Sequence, residues 1–169
     1  GGAYGDKPKA LADFAQNLDR LSLKVRSRLT VENDDKIFTP SDLLPLCRSQ
    51  KVPLVYDVHH HRCNQDALSV EEATEQAVDT WNREPMFHLS SPLEGWKGPK
   101  PNRHHDFINI VDFPACWRNL SLTVEVEAKA KEVAGVVAEK PKVETSEFQI
   151  LGSDTPDAPL VGVAKAEPK

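Results

Sequence analysis

A chain of 169 residues with 39% hydrophobic and 28% charged residues is long enough to bury a substantial core in one domain. No apolar run approaches the roughly 20 residues that a bilayer-spanning helix requires, and no secretory signal is visible, so no membrane association is expected. The formal net charge of −5 argues weakly against nucleic-acid binding, because divalent ions bound to a cluster of acids would reverse the local charge.

The cysteines are three in number and widely spaced, at Cys47, Cys63 and Cys116. This usage is typical of reduced thiols, and it predicts a cytoplasmic protein. The chain opens with a glycine-rich segment that leads directly into a helical pattern and has no initiator Met. A βα-unit without its strand has this pattern, so we expect a fragment that lacks upstream sequence.

Strand-like and helical patterns alternate in the first half of the chain. Apolar residues at three- and four-residue spacing predict the first helix, and Thr39-Pro40-Ser41-Asp42 marks the start of another. The predicted elements are a helix over 8–28, a buried strand over 29–31, an acidic loop over 32–36, a helix over 40–50 and a strand over 52–57.

The second half continues the alternation. Ser69 with Glu72 three residues later is a capping-box pattern, which predicts a helix start. The predicted elements are a helix over 69–81, a strand over 86–89, a long loop over 90–103, a helix starting within 106–111, a strand over 122–127 and a helix over 128–138.

Alternating strands and helices with short links predict an α/β fold with parallel strands. Candidate functional residues follow the strands, as in a TIM-type (β/α)8 barrel, of which this chain would hold only the C-terminal half. Residues 1–138 are therefore predicted to be half of a barrel domain. The segment 139–169, rich in Pro, Lys and Glu, is predicted to be a disordered tail.

Four strand-like segments each end in an acid or a histidine, which predicts one shared site for several metal ions. The strongest group is Asp57 with His59, His60 and His61, because three consecutive imidazoles after a strand are unusual for a purely structural role. Strand alternation would place Asp57, His59 and His61 on one face, but alternation often fails where a strand ends, so it does not choose among the histidines.

The other candidates are less specific when each is taken alone. Glu32 is then more typical of a capping or salt-bridging acid, and His88 of a buried core histidine. His104-His105-Asp106 is typical of a solvated turn, and Glu127 of an exposed helix face. These purely structural interpretations become less convincing when the residues are considered together, because all of these groups are predicted at the same end of the barrel.

Taken together, the motifs resemble the ultraviolet damage endonuclease family over roughly residues 1–138. Several ordered motifs agree. The matching strings are Gly1-Gly2-Ala3-Tyr4-Gly5-Asp6-Lys7, Leu29-Thr30-Val31-Glu32-Asn33-Asp34-Asp35-Lys36, Val55-Tyr56-Asp57-Val58-His59-His60-His61, His88-Leu89-Ser90-Ser91, His104-His105-Asp106-Phe107-Ile108 and Glu127-Ala128-Lys129-Ala130-Lys131-Glu132.

The resemblance implies a metal-dependent DNA repair endonuclease with a TIM barrel and a cluster of divalent ions, typically Mn²⁺. Damaged double-stranded DNA would be cut by phosphodiester hydrolysis on the 5′ side of ultraviolet photoproducts, with no catalytic residue apart from the metal ligands and no protein partner.

Matched by motif position, the implied ligands are Glu32, Asp57, His60, His88, His104 and Glu127. His60 is chosen because the family ligand lies three residues after the Asp. His104 is chosen because the family pattern runs His, small residue, Asp, aromatic, Ile.

Two departures from the family pattern stand out. Met86 occupies the position of a usual Lys, two residues before His88, and the chain begins where a metal-binding His normally precedes the Gly-Gly motif. An inactive, truncated family member that retains part of a metal site is therefore one alternative. Another metal-dependent barrel enzyme, an apurinic-site endonuclease or a sugar isomerase, is the other.

The loop over 90–103 carries three cations that are candidates for contacts with the DNA backbone. They are Lys97, Lys100 and Arg103. Their position in a loop predicted to cover the barrel face is the basis of this hypothesis, because lysine and arginine side chains are common phosphate contacts.

Overall fold

A computed structural model of the protein describes residues 2–3, 5–130 and 163–165. The chain divides into two compact units, Gly1–Tyr56 with His60–Arg83 and Asp57–His59 with Glu84–Lys169. Within the described ranges, no helix combines the length and the apolar character that crossing a membrane requires.

The first unit is built from helices and two short parallel strands. Its elements are α1 (Lys7–Asp19), α2 (Leu23–Arg26), β1 (Val31–Glu32), α3 (Pro40–Gln50), β2 (Leu54–Val55) and α5 (Val70–Val78), while α4 covers Val58–Cys63. Strand β1 pairs with β2 in parallel, with Glu32 opposite Val55. Helices α3 and α5 pack on β2. The core between them includes the buried side chains of Leu43, Leu44, Leu54 and Ala77.

Local capping fixes the starts of α3 and α5, and both predicted starts are confirmed. Thr39 accepts a hydrogen bond from the backbone N–H of Asp42, whose side chain accepts one from the Thr39 N–H. Ser69 and Glu72 make the same reciprocal pair at α5. Each box supplies partners for amide groups that have none within the helix.

Two predictions in this unit are wrong in part. The helix predicted over 8–28 is interrupted between α1 and α2, because Ser22 adopts an extended backbone and caps a new helix through the N–H of Val25. The strand predicted over 29–31 is shorter and shifted, and it is not buried: Val31 is half-buried and Glu32 is exposed. The apolar spacing persists across the break, so it could not locate the break.

The second unit contains a three-stranded sheet in the order β3 (Met86–Leu89), β4 (Thr123–Val126) and β5 (Val163–Lys165). Strands β3 and β4 are parallel, with His88 opposite Glu125, and β5 is antiparallel to β4. The rings of Phe87 and Trp117 are fully buried and lie 5.4 Å apart between centroids. This parallel pairing confirms the strands predicted over 86–89 and 122–127.

The helix predicted within 106–111 is wrong. Residues 106–107 form a bend, residues 108–109 have no regular structure, and a 3₁₀ turn at Ile110–Asp112 follows. The backbone N–H of Asn109 donates to Ser91 Oγ. This tertiary hydrogen bond holds the segment in a non-helical conformation. A second 3₁₀ turn covers Ala115–Asn119.

The last predicted elements lie mostly outside the described residues. Residues 128–130 end in a turn and are not helical, and the rest of the helix predicted over 128–138 is not described. Of the predicted tail over 139–169, the described part is β5, which pairs with β4. Disorder in the remainder stays a prediction.

Candidate metal centre

Glu32 and His60 approach each other in the first unit. Glu32 ends β1, and His60 lies in α4, with its Nδ1 3.4 Å from Glu32 Oε1 and 3.0 Å from the carbonyl oxygen of Asn33. A ring that donates from Nδ1 to a carbonyl presents the lone pair of Nε2, the arrangement that commonly orients a metal-binding histidine. This pair supplies one carboxylate and one imidazole.

The neighbouring acid Asp34 forms hydrogen bonds within the loop that follows β1. Asp34 accepts hydrogen bonds from the backbone N–H groups of Lys36 and Phe38. Its carbonyl oxygen accepts a further one from the side-chain amide of Asn64. Asp34 therefore stabilises the turn that follows β1.

His61 is buried in a separate polar chain of the first unit. Its Nδ1 lies 2.7 Å from the Tyr56 hydroxyl, and its Nε2 lies 3.1 Å from Asp66 Oδ1. Burial alone would raise the pKa of Asp66, but hydrogen bonds from the N–H groups of Ser41 and Leu68, and from His61, lower it to about 2. Asp66 is thus ionised at neutral pH and accepts from Nε2–H of His61, while Nδ1 of the same ring is hydrogen-bonded to the Tyr56 hydroxyl.

Asp57 and His88 come together in the second unit. The two residues form a parallel β-bridge, and both are buried, Asp57 completely. Nε2 of His88 lies 3.5 Å from Glu125 Oε2, while its Nδ1 lies 3.3 Å from Glu127 Oε1. Both nitrogens of this ring therefore face carboxylates.

Glu127 spans two imidazoles with its two oxygens. Oε1 faces His88, and Oε2 lies 3.6 Å from Nδ1 of His104. The backbone N–H of Glu127 donates to the carbonyl of Leu89, which fixes this residue just beyond the end of β4. A carboxylate in this position can bridge or orient ligands of a divalent ion.

The loop after β3 positions His104. An antiparallel bridge joins Pro92 to His104, and the N–H of His105 donates to the carbonyl of Ser91. His105 itself accepts the backbone N–H of Phe107 through Nδ1 and closes a turn. These contacts distinguish the two adjacent histidines, since His104 is the one that faces Glu127.

The same loop presents the three predicted DNA-binding cations on its surface. Lys97, Lys100 and Arg103 are all exposed, and the guanidinium of Arg103 lies 3.8 Å from Glu94 Oε1. An exposed ion pair at this distance contributes little to stability, so Arg103 remains able to exchange partners.

The donor set fits a divalent metal ion. All six predicted ligands belong to groups of acidic and imidazole side chains whose donor atoms could hold an ion. Mixed carboxylate and imidazole donors suit Mn²⁺, Fe²⁺ or Zn²⁺. Within the first unit, Glu32 and His60 supply both donor types. Within the second unit, the donors are Asp57, His88, His104 and Glu127.

Sequence reasoning missed Glu125, and it gave no roles to His59 and His61. The signal for Glu125 was available, because it lies two residues before Glu127 on one strand and alternation places both on the same face. The roles of His59 and His61 depend on α4, which replaces the predicted strand end and has no capping signature.

The described elements include two parallel strand pairs together with groups of carboxylates and imidazoles, which defines an α/β protein with candidate metal-binding groups. The chain belongs to the UV-endonuclease UvdE family, which residues 1–148 match. The resemblance noted from the motifs is therefore confirmed.

Curated relatives and a solved structure agree with this family. The UV DNA damage endonucleases of Bacillus cereus strains G9842 and Q1 are 34% and 36% identical to the chain over 143 residues, in matches that cover 79% of this chain and 44% of each relative. The crystal structure of SacUVDE matches with a TM-score of 0.72 at 29% identity, over 82% of this chain and 47% of that one. The chain thus spans less than half the length of these relatives.

Proposed function

We propose that the chain is part of a DNA repair endonuclease that hydrolyses the phosphodiester backbone on the 5′ side of ultraviolet photoproducts with divalent metal ions. The family match over residues 1–148 carries the proposal, since relatives of this family are named UV DNA damage endonucleases. The grouping of carboxylates and imidazoles supports the metal dependence. Mn²⁺ is the proposed ion, and a TIM-type barrel, of which the chain supplies half, is the proposed complete fold.

The proposed metal ligands are the six residues matched to the family motifs. Glu32 and His60 would bind in the first unit, and Asp57, His88, His104 and Glu127 in the second. Bound divalent ions would supply a nucleophilic hydroxide near neutral pH and stabilise the charge that develops on the phosphate and the leaving oxygen.

The chain's own contribution is to orient these ligands. The contact of His60 with the Asn33 carbonyl fixes the tautomer of the ring, and Glu127 faces both His88 and His104. Residues that fix the orientation of a ligand in this way typically account for 10- to 100-fold in metal affinity.

The proposed substrate is damaged double-stranded DNA. Photoproducts weaken pairing and stacking, which lowers the cost of moving the lesion out of the helix. The exposed Lys97, Lys100 and Arg103 would contact the phosphate backbone and position the strand without reading its sequence. We also propose a cytoplasmic location and no obligatory protein partner.

Nicking of supercoiled plasmid tests the proposed function. The chain would be assayed alone and joined to the part of the Bacillus cereus relative that it does not match, on irradiated and unirradiated plasmid with Mn²⁺. We expect the joined protein to nick irradiated plasmid, and we expect EDTA or Glu127→Gln to abolish nicking. Circular dichroism would show that every variant is folded.

Two outcomes would replace the proposal by an alternative. Turnover of abasic DNA or of a free ketose, without preference for irradiated plasmid, would indicate a different barrel enzyme. A folded, joined protein that binds Mn²⁺ but cuts no substrate would indicate an inactive family member.

A further inference from the structure

Trp96 is an exposed indole held in a fixed orientation. Its Nε1–H donates to Asp112 Oδ1 at 2.7 Å, and 37% of the residue surface is exposed. Asp112 is buried and also accepts from Ser91 Oγ at 2.6 Å. Tryptophan is mostly buried in folded proteins, so an indole anchored at its polar edge and exposed elsewhere is typical of a binding surface.

The loop that carries Trp96 is internally hydrogen-bonded. The N–H of Gly95 donates to the carbonyl of Pro92, and Leu93 N–H donates to Arg103. Gly95 has a φ of +73°, which an L side chain rarely adopts, and a Cβ on Gly98 would lie 2.7 Å from Glu94 Cβ. The tight backbone limits the positions that Trp96 can take, so little ordering entropy is lost when it binds a partner.

A chain of ring contacts leads from Trp96 to the candidate metal ligands. The ring centroid of His59 lies 5.0 Å from that of Trp96 and 5.0 Å from that of His104. His104 in turn faces Glu127. Trp96 is therefore separated from the proposed ligand His104 by one intervening ring, that of His59.

The two segments joined by the hydrogen bond between Trp96 and Asp112 carry exposed cationic and apolar side chains. Lys97 follows it directly, and both Ile110 and Val111, which precede Asp112, are exposed, Val111 by 76%. Aromatic side chains combined with lysines and arginines are the usual means of holding unpaired nucleotides, because every base has a face that can stack.

We infer that Trp96 is a stacking platform for a nucleobase of the bound DNA, beside the metal ligands. The inference rests on the proposed function and specifies which part of the substrate this loop recognises. A base displaced by a photoproduct is unstacked from its neighbours and gains a new stacking surface on the indole. Trp96 thus favours damaged DNA over intact DNA, whose bases remain stacked on each other.

Tryptophan fluorescence tests this inference. The full chain would be titrated with a short duplex that carries one thymine photodimer, and with the undamaged duplex, in Ca²⁺, with strand integrity checked on a gel. Of the three tryptophans, Trp117 is fully buried and Trp81 donates to the Leu54 carbonyl, so stacking on Trp96 is expected to dominate quenching. Trp96→Ala should weaken binding of the damaged duplex by about 5- to 150-fold and remove the quenching.

Two further variants separate stacking from charge and from folding. Trp96→Phe loses the hydrogen bond to Asp112 but keeps a ring, so it should retain affinity within about threefold of wild type while losing the quenching. Lys97→Gln should lower the salt dependence of binding and leave the quenching intact.

The outcomes distinguish this inference from the proposed function. Damage-dependent binding that Trp96→Ala leaves unchanged, in a variant shown to be folded, would overturn the stacking role and leave the endonuclease proposal standing. A wild-type chain that binds neither duplex, even when joined to the unmatched part of the Bacillus cereus relative, would overturn both. Equal losses for Trp96→Ala and Trp96→Phe would also overturn stacking, because a ring alone would then not suffice.

Discussion

The hydroxyl of Tyr56 lies 2.7 Å from Nδ1 of His61, in a buried chain of polar groups that ends at Asp66. Asp66 also accepts the backbone N–H groups of Ser41 and Leu68, each at 2.8 Å. The chain therefore ties α4 to the start of α3 and to the loop before α5. Since His60 precedes His61 in α4, this polar chain supports the helix that carries a proposed ligand.

Asp66→Asn should reduce stability at neutral pH and have little effect in acid. The pKa of Asp66 is lowered to about 2, from an ordinary value near 3.8, so its ionised form stabilises the fold above pH 4. That contribution is lost as pH falls from about 4 to about 2. We expect a loss on the order of 1 kcal/mol at pH 7 after allowance for solvent screening, measured by urea unfolding at several pH values.

Asp13→Asn is a matched control for this experiment. Asp13 pairs with Lys9 on the surface of α1, and both side chains are largely exposed. A pair of this kind contributes about 0–1 kcal/mol, so stability should hardly change at any pH. A loss in Asp66→Asn that persisted below pH 2 would show that packing, and not the charge of Asp66, is responsible.

Cys47 should resist alkylation in the folded chain. Burial raises the pKa of its thiol to about 12, and only 1% of the residue is exposed, so almost no reactive thiolate is present at pH 8. Cys63 and Cys116 are half-buried and serve as internal controls. Mass spectrometry after brief iodoacetamide treatment should find Cys47 unmodified until urea is added, and rapid native labelling of Cys47 would contradict this packing.

Local signals predicted the helix starts, because their causes lie within four residues. In the capping boxes at Thr39 and Ser69, the two hydrogen-bonding residues are only three positions apart, so the sequence alone identifies the helix start. The break at Ser22 is also local, but a continuous apolar pattern hides it. The missing helix at 106–111 depends on Ser91, which is distant in sequence.

The types of the site residues could be predicted, but their individual roles could not. Consecutive residues of a helix point about 100° apart, and so three adjacent histidines serve three different purposes in α4. His60 faces Glu32, His61 faces Tyr56 and Asp66, and His59 contacts the rings of Trp96 and His104. Treating this segment as a strand end could not separate these directions.

Glu127→Gln should weaken Mn²⁺ binding at least about tenfold. The change keeps the shape of the side chain but removes the charge that faces His88 and His104. Isothermal titration calorimetry of the folded chain with Mn²⁺ would measure the affinity. Glu71→Gln is the matched control, because it removes an equal charge from an exposed position in the first turn of α5. Equal losses in both variants would assign the effect to overall charge.

The Lys100→Ala, Arg103→Ala double variant should bind damaged and undamaged DNA more weakly by the same factor. Each lost phosphate contact should reduce the slope of log affinity against log salt by about 0.9. Fluorescence anisotropy at several salt concentrations would measure the slope. Arg118→Ala, at an exposed cation outside the loop, should leave it unchanged. A double variant with the wild-type slope would refute the backbone contacts.

Met86→Lys should raise metal-dependent nicking in the protein joined to the unmatched part of the Bacillus cereus relative. Met86 and His88 are two residues apart in β3, so their side chains leave the same face of the sheet, and a lysine would place an amine beside the proposed ligands. Met86→Leu keeps an apolar side chain of similar volume and controls for packing. Rates on irradiated plasmid that are equal for lysine, leucine and methionine would show that this position does not limit activity.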